Sequence, residues 1–380
     1  MRIFNLKSNG LPSVAFKLIN SNPLNDLIKI TADFTALRGI CLSALLLTIP
    51  FICYKIFSTI YKEDRAMKYV GVDIGGMSVK CGIAESDGRL LFKKSAPIRT
   101  EVEDVVILKD IAALIDEVLR ESGTDKSEIC GLGIGCPGSV NDGEGVVRYS
   151  CNINFRNTDM VGIMRGLTGI ENVRVSNDAN CAALGETLFG AGNGAKNSVL
   201  VTLGTGVGTG IIVDGKLLTG NKSAGAEGGH IQINMGGAVC GCGKRGHYEA
   251  YASATALISQ VKAACIKHPE SLLAKYAEEN GIDGKTVFIC AEQGDKTAIE
   301  TLKKYIKYVG QGLVVFANIF FPEVIIIGGG VSNAGDRLIK PLQRMVSKEA
   351  YGAQYAPKIK VVAATLKNDA GIIGAAALCM

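Results

Sequence analysis

The 380-residue chain holds no run of about 20 predominantly apolar residues, the length a membrane-spanning helix needs. Its nearest approach is Gly39 to Tyr54 (GICLSALLLTIPFICY), 16 uncharged positions between Arg38 and Lys55. This stretch lies too deep, and without a small-residue cleavage site before the fold begins, for a secretory signal. A weak membrane anchor is one reading of residues 1–66. The preferred one is a non-native or dispensable extension, with translation starting at Met67. The twelve cysteines lack the dense, even spacing of a small secreted scaffold, which places the chain in a reducing compartment. An excess of one charge sign is also missing from the body of the chain. Of the net +5, residues 1–66 carry +4 (eight Lys/Arg against four Asp/Glu), and a near-neutral remainder argues against a nucleic-acid surface. There is no G-x-x-x-x-G-K-[ST], which excludes a P-loop, and GVGTG lacks the downstream acidic residue of a dinucleotide-binding unit.

What is abundant is glycine, 47 residues gathered in short clusters between apolar runs. Such clusters mark tight turns or places where backbone approaches a ligand. From Tyr69, YVGVDIGG, VKCGIAES and LLFKKSAPI, with a turn at Asp87-Gly88, read as a β-meander. Residues 103–121 carry apolar side chains at three- and four-residue spacing, a helix, and ICGLGIGCPG follows as a strand. SVLVTLGTGVGTGIIVDGKLLTG repeats strand, glycine loop, strand and Asp-Gly hairpin turn, so an internal duplication is expected. Helices are predicted over 253–265 and 296–321, the second stopped by Pro322. EVIIIGGGV then reads as a buried strand, and DAGIIGAAAL, Asp369 to Leu378, as a small-residue segment suited to close helix packing.

Four glycine-rich strand ends, Gly75-Gly76, Gly135 to Gly138, Gly204 to Gly210 and Gly328 to Gly330, exceed what turn-making requires. Their N–H groups can surround phosphate oxygens without obstruction from side chains. DIGGMSVKCGIAESDG resembles the first phosphate loop of the ROK family of sugar kinases and repressors, and LGTGVGTGIIVDGKLLTG the second. The similarity runs over residues 69–378. It implies an α/β fold, the duplicated ribonuclease-H-like, two-domain architecture of actin- and hexokinase-type ATPases, with ATP and sugar meeting between the domains. One domain is expected over 67–178, with the C-terminal helix (about 366–380) packing back on it, and the other over 179–365. NDANCAALGE, from Asn177, matches the segment that crosses between them.

Phosphorylating a sugar hydroxyl requires a carboxylate to accept its proton as the oxygen attacks the γ-phosphorus in line. The resemblance places that base at Asp178. Read on its own, an Asp between two Asn residues is more often a helix N-cap. Asp73, after a strand and before Gly-Gly, is expected to help hold Mg²⁺, or else to form a turn. The nucleotide-binding set is Asp73, Gly75, Gly76, Ser78, Lys80, Gly204, Thr205, Gly206 and, against the adenosine, Gly328, Gly329 and Gly330. The resemblance assigns the sugar to Asn152, Asn177, Asp178, Glu227, His230 and Glu249, amides, carboxylates and an imidazole able to pair buried hydroxyls.

His230, Cys240, Cys242 and His247 lie within 18 residues and include two of the three histidines, a donor set for closed, tetrahedral, structural zinc. The family pattern C-x-C-G-x-x-G-C-x-E appears as CGCGKRGHYE, with His247 where a third cysteine is usual. The expected activity is phosphoryl transfer from Mg-ATP to a hexose, glucose at its 6-hydroxyl first. N-acetylglucosamine, N-acetylmannosamine, mannose or fructose are alternatives, as is a sugar-responsive ROK transcription regulator. Residues 1–66 lack the basic recognition helix that such a regulator carries. A cytoplasmic homodimer is expected.

Overall fold

The structure is a computed structural model that describes residues 67–380 and the backbone of 3–6 and 14–17. The expectations for the 39–54 stretch and for the rest of the extension lie outside the described residues. The chain divides into two units, Met1–Arg65 and Ala66–Met380. In the first, β1 (Ile3–Leu6) pairs antiparallel with β2 (Val14–Lys17).

The second unit begins with the meander β3 (Lys68–Ile74), β4 (Ser78–Glu85) and β5 (Leu90–Pro97), then α1 (Asp104–Ser122). Helix α1 buries Ile107, Leu108, Ile111, Leu114, Ile115, Val118 and Leu119, the i, i+3, i+4 stripe read from the sequence, and ends at Gly123 in the left-handed conformation. Next come β6 (Ile129–Cys136), the small strands β7 (Ser139–Asn141), β8 (Val146–Tyr149) and β9 (Arg156–Asp159), α2 (Met160–Thr168), β10 (Val173–Asn177) and α3 (Asp178–Phe189).

A second meander follows: β11 (Ser198–Leu203), β12 (Val207–Val213) and β13 (Lys216–Leu217). The β12–β13 turn places Asp214 and Gly215 at φ 50° and 76°, the pair of positive values that a two-residue hairpin of matching twist requires. Helices α4 (Glu249–Ala252), α5 (Ala254–Lys267), α6 (Leu272–Asn280), α7 (Thr286–Glu292) and α8 (Lys296–Phe320) lead to β14 (Val324–Gly328), α9 (Asp336–Glu349), β15 (Lys360–Ala363) and α10 (Ala370–Ala377).

The two large sheets have the same plan. The first is ordered β10-β6-β3-β4-β5 and the second β15-β14-β11-β12-β13. In each, the first strand pairs antiparallel with the second and parallel with the fourth, and the fourth pairs parallel with the fifth. The expected duplication is therefore present in the topology. Each sheet has its own core, Val70, Ile83, Ile115, Leu132 and Phe155 in one, Val201, Leu257, Leu313, Phe316 and Ile327 in the other. Backbone passes from the first sheet to the second through α3, and returns from β15 to α10, which packs on β3 and β6. Helices α3 and α10 touch so closely that a Cβ on Gly374 would lie 1.6 Å from the Cys181 carbonyl oxygen, so only glycine fits there.

Candidate active site

Strand β10 delivers the chain to α3 at one end of the first sheet. Asn177, not Asp178, caps the helix: its side-chain oxygen accepts from the N–H groups of Ala179 (2.9 Å) and Asn180 (3.3 Å), and its amide donates to the Gly138 carbonyl at 3.2 Å. This uses three of the four hydrogen bonds an asparagine side chain can make. Asp178 is thereby released from capping and stands half-buried in a crevice that both halves of the unit line. Gly138, Asn177, Ala179 and Asn180 contribute from one side and Gly208, Thr209, Ser223, Gly225, Ala226 and Glu227 from the other. One Asp178 oxygen accepts the Ala179 N–H at 2.8 Å. Burial pushes its carboxyl above the ordinary aspartate value, and the negative charges of Asp73 and Glu227 add to the rise against that backbone bond. A carboxylate of raised basicity, still reachable from the crevice, is chemically suited to accept a proton.

Asp73, at the end of β3, pairs with Lys80 on β4 at 3.2 Å and lies beside Gly371 at the start of α10. Gly75 and Gly76 follow in a tight loop closed by the Gly75 N–H to the Ser78 carbonyl at 2.9 Å, and Asn152 sits next to Gly76. The second loop, Gly204 to Gly206, is held from α5: Ala254 N–H donates to the Gly204 carbonyl and the Thr255 hydroxyl to the Thr205 carbonyl, leaving Thr205 itself exposed. Gly329 completes this wall. It has φ 79°, and a Cβ there would lie 2.5 Å from the Leu203 carbonyl carbon, so any other residue would push apart the two strand ends that frame the loop.

Glu249 is the first residue of α4. One of its oxygens accepts the Val207 N–H at 3.1 Å, at the foot of the second glycine loop, and the other accepts from the Cys240 thiol at 3.2 Å. It therefore joins that loop to the cysteine and histidine cluster. His230 Nδ1 lies 3.8 Å from Cys240 Sγ, His247 Nδ1 lies 3.2 Å from Cys242 Sγ, and the donor atoms of all four residues fall within 4.8 Å of one another. Bridges between Gln232 and His247 and between Val239 and Arg245 fold the segment into the tight loop that gathers them. Glu227 and His230 are both exposed at the ends of one 3₁₀ turn.

The family model for ROK matches residues 69–380. This chain belongs to the ROK family. It is 39% identical over 309 residues to a glucokinase of Halalkalibacterium halodurans, covering 80% of this chain and 93% of that one. The ROK family glucokinase of Streptomyces griseus, solved in complex with glucose and AMPPNP, superposes with a TM-score of 0.69 at 34% identity over 82% of this chain and 98% of that one. A xylose repressor of Caldicellulosiruptor bescii is 27% identical, over 81% of this chain and 77% of its own length. The crevice residues that sequence reasoning did not single out, Thr209, Ser223, Gly225 and Ala226, belong to strand β12 and to the loop from Gly220 to Ala226. Lys222, Ser223 and Ala226 there have positive φ without being glycine, a strain with no signature in a single sequence.

Proposed function

We propose that this chain is an ATP-dependent sugar kinase that phosphorylates glucose at its 6-hydroxyl. The observation that carries the proposal is the position of Asp178, freed from capping by Asn177, raised in basicity, and set in a crevice walled by both halves. In this reading Asp178 takes the proton of the attacking hydroxyl, while the N–H groups at Gly75-Gly76 and Gly204 to Gly206 hold the phosphates and Gly328 to Gly330 receive the nucleoside. Asp73 helps to hold Mg²⁺, which would neutralise phosphate charge, and Lys80 keeps its carboxylate oriented. The sugar hydroxyls fall to Asn152, Asn177, Glu227, His230 and Glu249. Residues 67–178 with the last helix, and residues 179–365, act as the two bodies that close on it, excluding water.

The four-residue cluster suits zinc. Tetrahedral bonds of about 2.0 to 2.3 Å put nitrogen and sulfur donors roughly 3.3 to 3.8 Å apart, close to the 3.2 and 3.8 Å of the two His–Cys pairs, so that only the wider separations, up to 4.8 Å, would contract. Nδ1 of His230 faces Cys240, which leaves Nε2 for a sugar hydroxyl, and Glu249 would then be presented by a metal-braced loop.

A sugar-responsive regulator is the second reading, favoured by the match to the xylose repressor. The retention of Asp73, Asp178 and both glycine loops weighs towards catalysis. A cytoplasmic homodimer belongs to the proposal on the family resemblance alone, and fractionation and sedimentation velocity test it. Among the described residues, no helix is long and apolar enough to cross a membrane. The central experiment measures ADP release from protein starting at Met67 against glucose, mannose, fructose, N-acetylglucosamine and N-acetylmannosamine. Glucose is expected to give the highest kcat/KM; another hexose in first place would change the substrate, and no sugar-dependent release from any of them would overturn the kinase reading.

A further inference from the structure

The last residue of the crossing motif NDANCAALGE is Glu186, and it is fully buried. A buried carboxylate is costly unless its oxygens are paired. No lysine or arginine side chain pairs with Glu186 among the described residues. Its partners are backbone N–H groups instead. Oε1 accepts from Leu366 at 2.7 Å, and Oε2 accepts from Thr365 and Ala191, each at 3.0 Å. The Thr365 hydroxyl reaches the same Oε2 at 3.4 Å.

The origin of these donors carries the argument. Backbone runs between the two sheets at two places, from β10 to β11 through α3 and from β15 back to α10. Ala191 follows α3 on the first crossing, and Thr365 and Leu366 lie on the second, so one carboxylate ties the outward crossing to the return. Charge-assisted hydrogen bonds to a carboxylate are short and strong. Eight residues separate Glu186 from Asp178 along the same helix, just over two turns or about 12 Å.

We propose that Glu186 is a positioning residue, the pin about which the two halves close. By fixing the crossings to each other it confines closure to one axis, and by anchoring the far end of α3 it aims Asp178. The pin takes no part in the chemistry. The inference rests on the kinase reading, which supplies both the closure and the base that Glu186 would aim.

The test uses the full chain, Glu186→Ala and Glu186→Gln, assayed with glucose and Mg-ATP well below their unfolding temperatures. Since a misplacement of about 1 Å at a reacting centre costs on the order of 10²-fold, kcat of Glu186→Ala is expected to fall about 10- to 100-fold. ADP formed per glucose 6-phosphate should rise above one, because imperfect closure admits water to the phosphate. Small-angle scattering should show a smaller glucose-induced contraction than in the wild type. Glu186→Gln keeps one acceptor oxygen and should recover part of all three. A residue needed for stability alone would lower the unfolding temperature while leaving the coupling ratio and contraction unchanged, and that result overturns the proposal. Should Glu186→Ala not fold, Glu186→Gln is read the same way, beside hydrogen exchange on the wild type. The amides of Thr365 and Leu366 should stay protected with and without glucose, and free exchange in either state rejects the pin. A wild type inactive on every hexose rejects the kinase reading instead, leaving the exchange result to stand on its own.

Discussion

The two halves of the unit share a sheet plan and differ in what they hang on it. Asp73 in the first sheet stands opposite Lys80 on β4 and Gly135 on β6; Thr202 in the second stands opposite Gly208 on β12 and Gly328 on β14. The positions are equivalent, two residues before the leading glycine of each half's loop. In the first half the side chain is a carboxylate able to serve a cation. In the second it is a hydroxyl turned inward, exchanging hydrogen bonds with Gly208 N–H (3.2 Å) and carbonyl (3.3 Å). Helix α8 precedes the fourth strand of its sheet as α1 does in the first half. Between the third strand and α8, however, the second half also carries the cysteine and histidine loop and the helices α4 to α7, with no such insertion between β5 and α1. The duplicated plan places a glycine loop after the leading strand of each half, and single side chains and insertions make the two halves differ around it.

Asp178 stands at the seam between the halves, and its loss should have the largest effect. Asp178→Asn is expected to lower kcat about 10²- to 10⁴-fold with glucose binding largely retained, as measured by phosphorylation kinetics and calorimetry. Turnover near the wild-type value would remove the base from the seam. Because burial raises this carboxyl, the acid limb of kcat/KM should lie above the 3.8 of an unperturbed aspartate. The folded chain holds this proton to higher pH than the unfolded one does. The associated stability is present at low pH and lost as pH rises through the folded value, so Asp178→Asn should melt higher than the wild type at neutral pH, and the gap should close in acid.

Making the halves alike at the equivalent position comes next. Asp73→Thr should lower kcat/KM by about 10²-fold and raise the Mg²⁺ concentration needed for half-maximal rate, if a single carboxylate separates the two loops in function. An unchanged Mg²⁺ dependence would mean that the asymmetry lies elsewhere. His247→Ala probes the insertion of the second half. Bound zinc by mass spectrometry should fall, KM for glucose should rise about tenfold, and the unfolding temperature should drop; metal content equal to wild type would discard the four-residue site. Thr202→Val should have the smallest effect, about 1 kcal/mol of stability from the lost hydrogen bonds, with kcat within about threefold. A larger kinetic loss would show that the second half uses its hydroxyl on the ligand.

Much of this architecture is legible from local pattern. Alternation and glycine punctuation mark both meanders, the apolar stripe marks α1, and Pro322 marks the end of α8, whose last residue is Phe320. Helix α9 is less legible: Pro341 sits inside it, although Leu338, Leu342 and Val346 keep a helical stripe buried against the core. Strands β7 to β9 are three or four residues long, too short to alternate visibly, and they hold together by pairing with one another. The cysteine and histidine cluster was readable because its donors are close in sequence, and proximity along a chain needs no folding to bring ligands near.

The sequence by itself determined the repeated strand, loop, strand units, the donor set for a metal and the motif that holds Asp178, since each depends on residues within a turn or a hairpin of one another. Tertiary structure alone decided that Asn177 takes the cap and leaves Asp178 to the crevice, that Gly329 meets the Leu203 backbone, and that Glu186 finds Thr365 and Leu366, 179 and 180 residues away. The physical reason is that a buried polar group is satisfied by whichever donors the fold brings within about 3 Å, and no local pattern encodes a partner that only the return of the chain supplies.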